Sequence, residues 1–146
     1  MPTAHQAFDE MLREGIRPRL QALGFGGSGS TFTWPAPSAI AHLGFQKSQL
    51  SNDGAVKFTV NVTIADRSKW EMLRQARPHL PEEPLPNTRY AKEIWQRRID
   101  RLTPGERHQW WWVEADGDWM GVANEVVEAI TAYVVPVLRK RTTTSS

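Results

Sequence analysis

The stretch Phe58-Thr59-Val60-Asn61-Val62-Thr63-Ile64 decides the fold, because its apolar and polar residues alternate strictly. Such alternation predicts a β-strand with one buried face and one polar face. A strong turn signal, Asn52-Asp53-Gly54, separates this strand, expected over Lys57–Ala65, from another at Ile40–Ser48. The two strands should pair antiparallel, and their register is specified because a one-residue slip would reverse every side chain.

Two long amphipathic helices are predicted, one near each end of the chain. The first begins with a capping box formed by Thr3 and Gln6 and ends at Gly24. Pro18 interrupts it and should kink it, because proline removes one backbone hydrogen bond. The last helix is expected over about residues 119–140, where apolar residues repeat every three to four positions.

The remaining segments predict shorter elements. In chain order they are a strand at Thr31–Trp34, a helix opened by a capping box of Ser68 and Glu71, an extended loop at Pro78–Asn87, a helical piece at Tyr90–Trp95, and strands at Arg97–Leu102 and Arg107–Ala115 joined by a turn at Pro104-Gly105. The fold class is therefore α+β, with both long helices packed on one face of an antiparallel sheet of about five strands. We expect one domain over residues 1–141 and a disordered tail over residues 142–146.

Length and composition narrow the class of protein. A chain of 146 residues with a formal net charge of +2 has the size of one ordinary domain and too little charge to imply nucleic acid. Because there is no cysteine, disulfides, thiolate metal sites and cysteine nucleophiles are excluded. The four histidines are far apart in sequence, so we expect no metal and no cofactor. Neither a signal peptide nor a membrane span is predicted, which favours a cytoplasmic protein.

A glycine-rich stretch, Gly24-Phe25-Gly26-Gly27-Ser28-Gly29, matches the letters of the dinucleotide-binding fingerprint. That fingerprint needs a strand before the glycines and a helix after them, and here the predicted order is reversed. A phosphate-binding P-loop would need a lysine where Ser30 stands. We therefore interpret the stretch as a flexible loop that joins a helix to a strand.

Three consecutive tryptophans mark a candidate surface. Strand alternation assigns Trp111 to the core beneath the helices, and Trp110 and Trp112 to the opposite face. Two exposed rings would form an apolar patch of about 300–500 Å², near the upper limit for a soluble monomer. Either the Pro78–Asn87 segment or a binding partner should therefore cover them. Polar residues are predicted on the same face, namely His42, Gln46, Thr59, Asn61, Arg98, Asp100 and Glu114.

Several short motifs follow one another along the chain. They are Leu23-Gly24-Phe25, Thr31-Phe32, Phe45-Gln46-Lys47-Ser48, Phe58-Thr59-Val60-Asn61-Val62, Arg98-Ile99, Trp110-Trp111 and Val135-Pro136-Val137-Leu138. In this order they resemble a bacterial family of domains of unknown function, number 4304, over nearly the whole chain. Where that family is expected to have Arg-Ile-Gly, this chain has Arg98-Ile99-Asp100. The resemblance implies a bacterial, single-domain protein without an established activity, so no catalytic residues can be transferred.

A non-enzymatic binding module is the function that these residues favour. Its two outward tryptophans would contact a protein or a small ligand, because aromatic rings among hydrogen-bonding groups are typical of binding pockets. A toxin-neutralising or regulatory protein is one partner that suits a domain of this size. Specificity would come from polar neighbours of the rings, namely Gln46, Asn61, Arg98, Asp100 and His42.

Two other functions are consistent with the same residues. One is a small enzyme whose acid or base is Asp100, Glu114 or His42, beside Arg98 as an anion clamp. The other is a single-stranded nucleic-acid binder, in which the tryptophans stack on bases and nearby arginines contact phosphates. Those arginines are Arg97, Arg98, Arg101 and Arg107.

Overall fold

A computed structural model describes residues 3–90, 94–104 and 110–142. Within those ranges the chain forms a six-stranded antiparallel sheet and helices at both ends, which confirms the predicted α+β class. The strands are β1 (Gly26–Ser28), β2 (Thr31–Trp34), β3 (Ala39–Lys47), β4 (Ala55–Asp66), β5 (Trp95–Arg98) and β6 (Trp111–Glu114). The helices are α1 (Ala4–Glu10), α2 (Arg17–Leu23), α3 (Arg67–Ala76), α4 (Met120–Ala129) and α5 (Val135–Thr142).

Strand β4 is the centre of the sheet. One of its edges pairs with β3 from Lys47↔Phe58 to Ala39↔Asp66, and the predicted turn closes this hairpin. In that turn the side-chain Oδ1 of Asn52 accepts hydrogen bonds from the backbone N–H groups of Gly54 and Ala55, at 2.8 and 3.1 Å. The predicted alternation is confirmed, since the apolar residues of β4 are buried beneath the long helices.

The predicted hairpin between Arg97–Leu102 and Arg107–Ala115 is wrong, as the pairing along the other edge of β4 shows. Both β5 and β6 pair with β4, at residues 61–64 and 55–58 respectively. After Arg98 the chain leaves the sheet in a 3₁₀ turn, Ile99–Arg101, whose first side chain is fully buried in the main core. Burial of Ile99 thus ends β5 early. Trp95, which was predicted to be helical, begins this strand, while residues 91–93 and 105–109 lie outside the described ranges.

The two long helices pack on one face of the sheet, as predicted. Each contains a π-helical turn, Met11–Ile16 between α1 and α2 and Ile130–Val134 between α4 and α5. The side chains that they bury against the sheet include Phe8, Met11, Ile16 and Leu20 from the first helix and Ala123, Val126, Ile130, Val134 and Leu138 from the last.

Each π turn lies directly before a proline. Pro18 and Pro136 are the second residues of α2 and α5, and each follows a backbone hydrogen bond that spans five residues, Arg17 to Leu12 and Val135 to Ile130. Proline has no N–H, and its ring crowds the carbonyl four residues earlier. A wider π turn at that point lets the helix continue. The kink expected at Pro18 is thus a π turn within a continuous helix.

Helix α3 begins one residue after β4 ends. Its N-cap is Asp66 and not Ser68 as predicted, because Oδ1 of Asp66 accepts hydrogen bonds from the Lys69 N–H at 3.0 Å and the Ser68 hydroxyl at 2.6 Å. These bonds, led by the one from Ser68, lower the pKa of Asp66 below its usual value. The helix places Trp70 in a second apolar cluster, which it forms with Ile40, Ala65 and Ile94.

The C-terminal helix spans Met120–Thr142, and by length and hydropathy alone it is long and apolar enough to cross a membrane. The core helix of a soluble protein passes the same test, and this helix buries an apolar stripe against the sheet. Thr142, which was assigned to the tail, ends α5 with a buried side chain whose hydroxyl donates to the carbonyl oxygen of Leu138. The rest of the predicted tail, residues 143–146, lies outside the described ranges.

We predict that Gly15→Ala destabilises the fold, although alanine normally favours a helix by about 1 kcal/mol. A Cβ at position 15 would lie only 2.4 Å from Cζ3 of Trp119, which holds the two long helices in close contact. Overpacking of this kind costs about 1–3 kcal/mol, which denaturant unfolding would measure. Gly121→Ala, where a Cβ meets no atom within 4 Å, is the matched control. Equal stability of the two variants would contradict the prediction.

We also predict opposite behaviour for two adjacent tryptophans. Trp111 is 8% exposed and stacks on Phe58 with ring centroids 5.8 Å apart, whereas Trp112 is 47% exposed. Trp111→Ala should therefore lower the free energy of unfolding by about 3–5 kcal/mol. Trp112→Ala should change it by about 0.5 kcal/mol or less, as is usual for surface substitutions. Similar losses in the two variants would show that Trp112 also contributes to the core.

Candidate functional site

The sheet face opposite the two long helices, termed here the second face, changes character along β4. At the α3 end it is apolar, where Ile40 and Ala65 pack under Trp70. Two residues further along, His42 pairs with Thr63, and both are buried. Towards the other end of β4 the face opens to solvent. The face predicted to carry a site is therefore closed at one end and accessible at the other.

Residues 77–90, termed here the cover segment, close the first half of this face. The indole N–H of Trp70 donates to the carbonyl oxygen of Glu82 at 2.9 Å and anchors the segment to α3. Further along, Pro86 lies so close to Gly44 that a Cβ on this glycine would approach Pro86 Cγ to 2.6 Å. The predicted loop therefore packs on the sheet, and Gly44 leaves it room.

His42 fastens the middle of the cover segment. Its Nε2 lies 2.8 Å from a carboxylate oxygen of Glu83, and its Nδ1 lies 3.0 Å from the hydroxyl of Thr33. The other oxygen of Glu83 is 3.7 Å from Arg67. With 6% of its surface exposed and both ring nitrogens engaged, His42 has a structural position under the cover.

Three amide side chains meet where the cover segment ends. The Nδ2 group of Asn61 donates to Gln46 Oε1 at 2.7 Å and to Asn87 Oδ1 at 3.0 Å. Asn87 in turn donates to the backbone carbonyl of Phe45 at 3.3 Å. Two predicted site residues, Gln46 and Asn61, are thus bonded directly to each other, and Asn87 joins the cover segment to this pair.

A cleft opens beside this amide group. It has a volume of about 140 Å³ and continues into an adjoining recess of about 490 Å³. We call the two together the arginine cleft, since four arginines line it. The side chains that line the cleft include Gln46, Asn61, Asn87, Arg89, Gln96, Arg97, Arg98, Asp100 and Arg101.

Arg98 is the central residue of the arginine cleft. It lines both the cleft and the recess, and its guanidinium carbon lies 5.1 Å from the ring centre of Trp110. Its Nε is buried and has no hydrogen-bond acceptor in the part of the chain that the structure describes. Burying a donor without a partner is unfavourable. Arg98 is held from one side by the ring of Trp110, while its side chain lines both the cleft and the recess.

The two outward tryptophans lie beyond Arg98, at the open end of the face. Lys57 lies between them, with its Nζ 5.1 Å from the ring centre of Trp110 and 5.7 Å from that of Trp112. Cations at this distance from an aromatic ring are attracted to it. Trp110 is half-buried, while Trp112 keeps 47% of its surface exposed. The cover segment thus reaches Asn61 and leaves an aromatic platform of Lys57, Trp110 and Trp112 beside the cleft.

The acids and bases proposed for an enzyme are not all brought together. Asp100 lines the recess with Arg98, but His42 is held under the cover segment. Glu114 pairs with Ala55, six residues along β4 from Asn61, the partner of Arg98. At about 3.4 Å per residue the two pairs are roughly 20 Å apart. Among the described residues no three histidine or acidic side chains could hold one metal ion.

Several residues of the site were not predicted from the sequence. Alternation along β4 places Lys57 on the same face as Thr59 and Asn61, so the strand pattern alone would have found it. Asn87 and Arg89 come from the cover segment, where no periodic pattern shows which way a side chain points. Arg107, counted among the basic residues, lies outside the described ranges.

Comparison with known proteins gives a family but no activity. No curated protein and no solved structure matches the chain. A family model described as a domain of unknown function, DUF4304, matches residues 16–140, which include all six strands, α2 at the end of the N-terminal helix and nearly all of the C-terminal helix. The motifs that suggested this family therefore belong to one continuous match. The chain is a member of the DUF4304 family.

Proposed function

We propose that this protein is a binding module that takes a small anionic ligand in the arginine cleft. The observation that carries the proposal is the convergence of four arginines on one cleft, with Arg98 lining both the cleft and its recess. A planar guanidinium presents its donors as a fork that matches a carboxylate or a phosphate. A ligand anion would accept hydrogen bonds from the guanidinium groups that line the cleft.

Charge supports an anion at this position. Four arginines line the cleft and its recess. Asp100 is the one acidic residue among the described residues that line them. Cationic groups on the walls of a cleft raise the local concentration of anions. The excess of positive charge therefore favours carboxylates and phosphates over neutral or cationic ligands.

Amide groups and rings would recognise the rest of the ligand. Gln46, Asn61 and Asn87 offer directional donors and acceptors on one wall of the cleft. On the open side, Trp110, whose ring centre lies 5.1 Å from the Arg98 guanidinium carbon, presents an apolar surface on which a planar or apolar portion can stack. Pockets that orient ligands combine a few fixed polar groups with apolar surface in this way.

We predict that Arg98→Met weakens binding of small anions by about 10–100-fold, which corresponds to the 1.5–3 kcal/mol of a charge-assisted hydrogen bond. The probes are inorganic phosphate, benzoate and phenyl phosphate. Tryptophan fluorescence reports their binding, because Trp110 lies 5.1 Å from the Arg98 guanidinium. Arg98→Lys, which keeps the charge but loses the fork, should be intermediate.

Arg77→Met is the matched control. Arg77 is exposed at the end of α3, so this substitution removes the same charge at a different place on the surface. Thermal unfolding of every variant checks that the fold is intact. Equal affinities in the Arg98 and Arg77 variants, or no binding of any probe, would contradict the proposal. Tighter binding of a short single-stranded oligonucleotide than of the small anions, with a steep dependence on salt, would favour the nucleic-acid alternative instead.

The same probes give a prediction for the aromatic platform. Trp110→Ala should weaken benzoate and phenyl phosphate by about 5–10-fold, as expected for the loss of one stacking contact worth about 1 kcal/mol. It should leave inorganic phosphate unchanged, because that ion has no ring to stack. Calorimetry measures the three affinities, because the substitution removes the fluorescent reporter. A uniform loss for all three probes would show that Trp110 acts through the fold and not through the ligand.

A further inference from the structure

A second cavity lies on the other side of the sheet, where the N-terminal helix meets the ends of two strands. This helix groove has a volume of about 550 Å³. Helix residues 8–17 form one wall, and the β1–β2 turn and the end of β3 form the other. Its lining side chains and turn residues are Phe8, Asp9, Leu12, Arg13, Arg17, Gly29, Ser30, Phe45 and Lys47. It is therefore separate from the arginine cleft.

The rim of the helix groove is positively charged. It carries Arg13, Arg17 and Lys47 against one acid, Asp9, among the described lining residues. Arg13 also lies 3.7 Å from Glu14, but both side chains are more than half exposed, so this pair holds the arginine weakly. Lys47 reaches back over the groove, with its Nζ 5.1 Å from the ring centre of Phe8. Charge at this rim thus favours an anionic group.

The floor of the groove is formed by apolar side chains. Phe8, Leu12 and Phe45 belong to the main core and line the groove with 2%, 5% and 3% of their surfaces exposed. The aliphatic stems of the surrounding arginines and lysine extend this apolar surface. The π turn lies in the same wall, because the backbone N–H of Arg17 donates to the carbonyl oxygen of Leu12 and both residues line the groove.

The β1–β2 turn leaves the far side of the groove open. Gly29 has φ +66°, and a Cβ there would meet no atom within 4 Å. The backbone N–H of Phe45 donates to the carbonyl oxygen of Ser30 at 2.8 Å, which holds the turn against β3. Gly29 and Ser30 thus form this wall without bulky side chains.

We infer that the helix groove binds a small amphipathic acid. Its anionic head would lie against Arg17 and Lys47, and its hydrocarbon tail would lie along Phe8, Leu12 and Phe45. A cationic rim above an apolar floor is complementary to this one class of molecule. An inorganic anion would make no apolar contact with the floor, and a neutral hydrocarbon would make no ionic contact with the rim. The inference is independent of the function proposed for the arginine cleft.

The test uses the full chain and 1-anilinonaphthalene-8-sulfonate, an apolar sulfonate that fluoresces when it is bound. Decanoate, decanol and inorganic phosphate are then added as competitors. Because the dye is an aromatic anion that the arginine cleft would also bind, the titration is repeated with Arg98→Gln. In that variant we expect saturable binding and displacement by decanoate, with at least tenfold weaker displacement by decanol or phosphate. Displacement by phosphate as effective as that by decanoate would overturn the inference, and so would the absence of saturable binding.

Substitutions of the rim residues test whether the ligand binds in the helix groove. Arg17→Gln with Lys47→Gln should weaken decanoate binding at least tenfold, while Arg77→Gln, just after the end of α3, leaves it unchanged. Thermal unfolding gives the transition temperature of each variant. Dye titrations made well below that temperature then report binding to the folded protein and not to unfolded chain. Unchanged decanoate binding in the Arg17 and Lys47 variant would overturn the assignment without deciding the function proposed for the arginine cleft.

Discussion

Pairing of β4 on both of its edges is the constraint on which the rest of the structure depends. Nine consecutive residue pairs join it to β3, and β5 and β6 share its other edge. Because a central strand must keep its register, alternation along β4 divides the whole sheet into a helix-covered face and a second face. The core beneath the long helices follows from that division, and so does the strand-borne wall of the arginine cleft, which includes Gln46, Asn61 and Arg98.

The second face is unusual because only half of it is covered. The cover segment is fastened by polar contacts to β3 and β4, through His42 and Asn61, and it approaches closely where Gly44 has no side chain. Buried polar groups need partners, so these contacts set where the cover can lie. The cleft forms at the place where the segment turns away from the sheet, between the amide group and Arg98.

Local patterns allowed much of the fold to be predicted. Periodicity identified the β3–β4 hairpin, both long helices and the inward position of Trp111, because burial of one face imposes a period of two on strands and of 3.6 on helices. The same reasoning placed Gln46, Asn61 and Arg98 on one face, and the three line one cleft. The capping motif predicted at the start of α3 was wrong, because Asp66 caps the helix in preference to Ser68.

The sequence by itself determined which residues share a face, because side-chain direction within a strand is a local property. Only the tertiary structure decided which strands are neighbours, so β5 and β6 both join β4 and do not pair with each other. It also decided that His42 is covered and that Arg98 lines a cleft, since both depend on where residues 77–90 lie. That segment has no periodic pattern, and long-range contacts with β3 and β4 fix its position.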